Sequence, residues 1–113
     1  MTNINVDVII TIEENVQDSD LFFNGFFVPE FIGQKILKAC PDTKIYYSTP
    51  SGYNGKLKQA EGSFKRDNSD DIIFWKNFFN TTSSDHVAVI NGDSPFFDPE
   101  ILKEMSEIHV KYL

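Results

Sequence analysis

The run Ile4 to Ile12 (INVDVIITI) is β-branched nearly throughout and is broken only by Asn5, Asp7 and Thr11. A strand covered on both faces reads this way, and a central parallel strand is predicted. Glu13 to Gly25 (EENVQDSDLFFNG) is polar and then aromatic and ends on the turn pair Asn24-Gly25, so a long irregular loop is expected to leave that strand. Loops of this length are often functional. From Val28 to Cys40 (VPEFIGQKILKAC), Pro29 and Glu30 suit a first helical turn, while Phe31, Ile32, Ile36, Leu37 and Cys40 recur at helical spacing. Pro41-Asp42 ends that helix, and Lys44 to Thr49 (KIYYST) reads as a second strand. Strand, helix and strand in so short a span call for a right-handed parallel crossover.

Pro50 to Ser69 is polar and glycine-rich, with a helical turn expected around Leu57 and a short third strand near Ser63 to Lys65. Asp70 or Asp71 is placed to cap a helix through Ile72, Ile73, Trp75, Phe78 and Phe79, ended by Asn80 and the Thr/Ser cluster. Its apolar stripe is broad, so much of this helix is expected to be buried. His86 to Ile90 (HVAVI) is the next apolar strand, followed at once by Asn91-Gly92-Asp93-Ser94-Pro95. Asp98 reads as an N-cap and Pro99 as N1 of a last helix, with Ile101, Leu102, Met105 and Ile108 on one face. Strands alternating with helices predict one α/β domain over residues 1–113: a three-layer αβα sandwich around a mostly parallel sheet.

Charge narrows the partners. Ten Lys or Arg stand against 17 Asp or Glu, a net charge of −7, which argues against nucleic-acid and anionic-membrane surfaces. With 41% apolar residues the chain has enough burial to fold. The single cysteine, Cys40, cannot form an internal disulfide, the start lacks a signal-peptide pattern, and no apolar run is long enough to cross a bilayer. A cytoplasmic location is expected. Cys40 reads as a small buried hydrophobe, and His86 and His109 as structural, each without a second ligand at metal spacing.

In open α/β sheets ligands bind beyond the carboxyl ends of the strands. Three segments are expected there: the loop from Glu13 to Gly25, the loop from Ser48 to Gly55, and the turn from Gly92 to Pro95. Asp93 is the sharpest candidate. A carboxylate just past an apolar strand, with glycine before it for close backbone approach, suits Mg²⁺ or Mn²⁺, and its bland alternative is a turn aspartate capping its own loop. Phe22, Phe23, Phe26 and Phe27 crowd around Asn24-Gly25; they either anchor the loop, stack on a base, or cover an interface.

Asp85 to His109 (DHVAVINGDSPFFDPEILKEMSEIH) resembles the GDxPxxDPExI segment of cytidylyltransferase-like proteins of the spore-coat polysaccharide and acylneuraminate type. EGSFKRDNSDDII is similar to that family's EGxxVxRGxxDDVL stretch. The resemblance implies a Rossmann-like nucleotide-diphospho-sugar transferase (GT-A) fold, truncated to its N-terminal part. It also implies transfer of a cytidylyl group from CTP to a sugar, with Asp93 on the metal and Thr11, Ile12 and Ser48 near the nucleotide. Where the family carries a glycine-rich basic loop of the type ARxGSxRxPGK, this chain has IEENVQDSDLFFNGFF, without Arg or Lys. Phosphoryl-type transfer depends on charge stabilisation, so the isolated chain is expected to be inactive. The alternative is a non-catalytic binding or scaffolding domain of a larger protein. The family domain continues into further strands, so a longer parent is expected, with the missing C-terminal part or a second copy as partner.

Overall fold

A computed structural model describes residues 6–59, 63–66, 72–82, 84, 86–93, 96–102 and 104. The elements in chain order are β1 (Val6–Thr11), a 3-10 turn (Asp18–Leu21), β2 (Phe22–Phe23), β3 (Phe26–Phe27), α1 (Val28–Ala39), β4 (Ile45–Pro50), a second 3-10 turn (Lys56–Gln59), β5 (Ser63–Arg66), α2 (Ile72–Thr81) and β6 (His86–Asn91). Residues 99–102 open a further helix. Ile4, Asn5, Asp70, Asp71, Met105, Ile108 and His109, which carried expectations of their own, lie outside the described residues.

β5, β4, β1 and β6 form one four-stranded sheet in that order, and every pairing within it is parallel. The predicted central strand is β1, flanked by β4 and β6. Its residues are buried in an unbroken run from Val6 to Ile10, Asp7 among them, as a strand covered on both faces requires. The chain is a small α/β domain.

Alternation along β1 sends Val8 and Ile10 to one face, where they form a core with Val28, Ile32 and Ile36 of α1, Ile90 of β6 and Leu102. Burying each such side chain contributes about 1.5–3 kcal/mol. The buried stripe of α1 is Val28, Pro29, Ile32, Gly33 and Ile36, so the helix is turned slightly from its expected face and Leu37 points outward. Helix and sheet approach closely at Gly33, where a Cβ would lie 2.7 Å from the Tyr47 hydroxyl. Cys40 caps the end of α1 and is half-buried rather than enclosed. Tyr46 packs edge-on against Phe78 of α2 at 5.4 Å. Asp98 caps the last helix as expected, its carboxylate accepting the Glu100 amide at 3.0 Å.

Two expectations need correction. α2 buries only Phe78 among its described side chains; Ile72 and Ile73 are 78% and 74% exposed and Phe79 is exposed as well. A ten-residue helix meets the sheet along one stripe, and the breadth of its apolar surface exceeds what that contact covers. The segment after β1 is also more ordered than a plain loop. It holds a 3-10 turn and then an antiparallel hairpin, β2 and β3, closed by Asn24 and Gly25 with φ of 50° and 83°. Two consecutive positive φ values define the two-residue turn whose twist matches a hairpin, which is why Asn-Gly stands there.

Candidate functional site

The carboxyl edge of the sheet gathers all four residues singled out above. Thr11 and Ser48 are partners in the β1–β4 register, and the Ile12 amide donates to the Ser48 carbonyl at 2.9 Å. Asp93 follows β6, next to β1. Their accessibility differs. Ile12 and Ser48 are buried, Thr11 is half-buried, and Asp93 is exposed.

An apolar cap packs above the ends of β1 and β4. Ile12, Leu21, Phe27, Tyr53 and Leu57 form a second apolar cluster, with Val16 and Tyr47 against its border. Asp18 fastens it. Its carboxylate accepts the Tyr53 hydroxyl and, at 2.7 Å, the Lys56 amide, while the Tyr53 oxygen accepts the Leu57 amide at 3.1 Å. Burial, reinforced by the bond to Asp18, pushes the Tyr53 hydroxyl from its ordinary pKa of 10.0 up to about 12. Burial also raises Tyr47, helped by the Glu30 charge. Lys56 joins α1 to this cap, with its Nζ 3.1 Å from Glu30 Oε2 and 5.1 Å above the Phe27 ring. Gly55 admits the assembly, since a Cβ on it would collide with the Tyr53 ring and the Asp18 carboxylate.

Between β1 and β6 the edge is tied differently. The Gly92 amide donates to the Thr11 carbonyl at 2.8 Å, Asn91 Nδ2 donates to Glu13 Oε1 at 2.9 Å, and the Asp93 amide donates to Asn91 Oδ1 at 3.2 Å. Gly92 does provide close backbone approach, though to its own sheet: a Cβ there would sit 2.9 Å from Ile12 Cδ1 and 3.0 Å from the Thr11 carbonyl. The result is a polar rim of Glu13, Asn91 and Asp93 beside the apolar cap. Among the described residues, no three His, Cys, Asp or Glu side chains are grouped to hold a metal ion.

Asp18, Leu21 and Tyr53 were not singled out from sequence, and Leu57 only as the centre of a helical turn, which Lys56–Gln59 forms. Gly55 was a signal for Tyr53 alone, since any side chain there would collide with the Tyr53 ring, whereas a Cβ on Gly52 meets nothing. Asp18 gave none, since its partners lie 35 and 38 positions away. No helix among the described residues is long and apolar enough to cross a membrane. Comparison with protein-family models, curated proteins and solved structures returns no match.

Proposed function

We propose that this chain is a nucleotidyltransferase-like domain that serves as a non-catalytic binding or scaffolding module. Its frame is taken as a reduced three-layer, Rossmann-like sheet of the GT-A type. Support for the frame comes from strand order: numbered by sequence, the sheet reads third, second, first, fourth, as in the first four strands of a doubly wound sheet. Support for silence comes from the Asp18-fastened cluster of Leu21, Tyr53 and Leu57 over Ile12, which occupies the ground a nucleotide would need above β1 and β4. The segment carrying it has four acids and no Arg or Lys between residues 12 and 27, so a triphosphate there would meet repulsion.

The competing reading is a CTP-dependent, cytidylyltransferase-like domain in polysaccharide or glycoconjugate synthesis. Exposure of Asp93 at the β1–β6 divide favours it. Mg²⁺ or Mn²⁺ would take Asp93 from the protein and most of its remaining oxygens from phosphate and water. Thermal melting with CTP and Mg²⁺ separates the two, because binding at ten times Kd would add about 1.4 kcal/mol of stability. No shift at millimolar CTP is expected. A shift that Asp93→Ala abolishes overturns the non-catalytic reading.

A further inference from the structure

We propose that the β2–β3 hairpin, together with Phe96, is the docking tip for a basic amphipathic segment of a partner protein; this deepens the binding-module reading and rests on it. Phe22, Phe23, Phe26 and Phe96 are 52%, 41%, 55% and 80% exposed. They are held rather than loose. Phe27 roots the hairpin in the cap beneath Lys56, Phe22 packs on Phe27 at 5.3 Å, Phe26 on Phe31 at 5.1 Å, and Phe23 edge-on against Phe96 at 5.3 Å. Aromatic side chains already fixed in place lose little entropy on binding, which makes them suited to anchoring an interface.

Ring geometry and charge select the occupant. The three ring pairs are inclined at 51°, 36° and 77°, so no pair offers a common plane on which a base or sugar ring could lie across both of its rings. Inclined rings leave notches that branched aliphatic side chains fill. Asp20, two positions before Phe22, is exposed, while Asp18 is held by Tyr53 and Lys56, and the neighbouring cations are engaged: Lys56 with Glu30, and Lys35 donating to the Phe97 carbonyl at 2.6 Å. With a net charge of −7 behind it, this surface repels nucleic acid and anionic lipid. A second copy would set the same acidic step against itself in an isologous contact. A helix with leucines on one face and lysines at its rim satisfies both the rings and the exposed Asp20 carboxylate.

The test is fluorescence anisotropy of two labelled model peptides, an amphipathic leucine-lysine helix and its leucine-glutamate counterpart, against the full chain. The lysine peptide binds and the glutamate peptide does not. Phe23→Ser with Phe26→Ser weakens binding at least about tenfold. Asp20→Lys weakens it and flattens its salt dependence, while Ile72→Ser with Ile73→Ser, an equally exposed apolar site elsewhere, leaves it unchanged. Equal binding of both peptides, wild-type affinity in the Phe variant, or equal loss in the Ile variant overturns the proposal. So does sedimentation showing a dimer that the Phe variant dissolves. Melting curves confirm that each variant is folded. Failure here with no CTP shift removes the docking tip alone, whereas an Asp93-dependent CTP shift removes the non-catalytic reading whatever the peptides do.

Discussion

Asp18 accepts a hydrogen bond from the Tyr53 hydroxyl across 35 positions of chain, and that bond joins the segment after β1 to the segment after β4. The same carboxylate holds the Lys56 amide, and the same phenol oxygen receives the Leu57 amide. Removing either side chain therefore leaves polar groups unpaired beside an apolar cluster. Tyr53→Phe and Asp18→Ala are each expected to cost about 1–3 kcal/mol in urea unfolding. The double variant costs clearly less than the two added together, because both delete the same bond.

Alkaline stability follows from the same pair. The folded state keeps the Tyr53 proton up to about pH 12, while an unfolded tyrosine releases it near its ordinary pKa of 10.0. Between those values the folded state binds more protons, so stability falls as pH rises through that window and is fully present below it. Melting temperature measured from neutral to strongly alkaline pH is expected to drop there, and to drop less steeply in Tyr53→Phe.

Glycine positions provide a contrast that packing alone explains. Gly92→Ala puts a methyl group against the Thr11 carbonyl and Ile12, whereas a Cβ on Gly52 meets nothing within 4 Å. Chemical denaturation is expected to show a loss of about 1–3 kcal/mol for Gly92→Ala. Gly52→Ala stays within about 0.5 kcal/mol of the parent.

Within α2 the sheet-facing stripe is narrow enough to be tested residue by residue. Phe78 is buried and touches Tyr46, so Phe78→Ala is expected to cost about 3–5 kcal/mol. Ile73→Ser, at a position 74% exposed, is expected to change stability by about 0.5 kcal/mol or less. The same unfolding titration reads both.

Elements whose pattern answers to local chemistry were legible along the chain. The apolar run of β1, the Pro29 start of α1, the β4 and β6 runs, the Asn24-Gly25 turn and the Asp98 cap each carry their signal within a few residues. Parallel pairing of β1 with β4 was also readable, since one helix lies between them. Burial of α2 was not, because a helix rich in apolar residues on several sides does not say which side meets the sheet. The cap over β1 and β4 was hidden for another reason. The Asp18 hydrogen bonds that close it join residues more than thirty positions apart, and polar residues such as Asp18 look alike in sequence whether they are solvated or fastening a loop.

The claim that the carboxyl edge above β1 and β4 is sealed is tested most directly by following the backbone amides of Ile12, Ser48 and Leu57 in a nuclear magnetic resonance titration with CTP and Mg²⁺. The sealed cap predicts that these amides keep their shifts throughout and remain protected from hydrogen exchange until the domain unfolds. Saturable shifts at Ile12 and Ser48, accompanied by loss of protection at Leu57, would contradict it and show that a nucleotide displaces the cap.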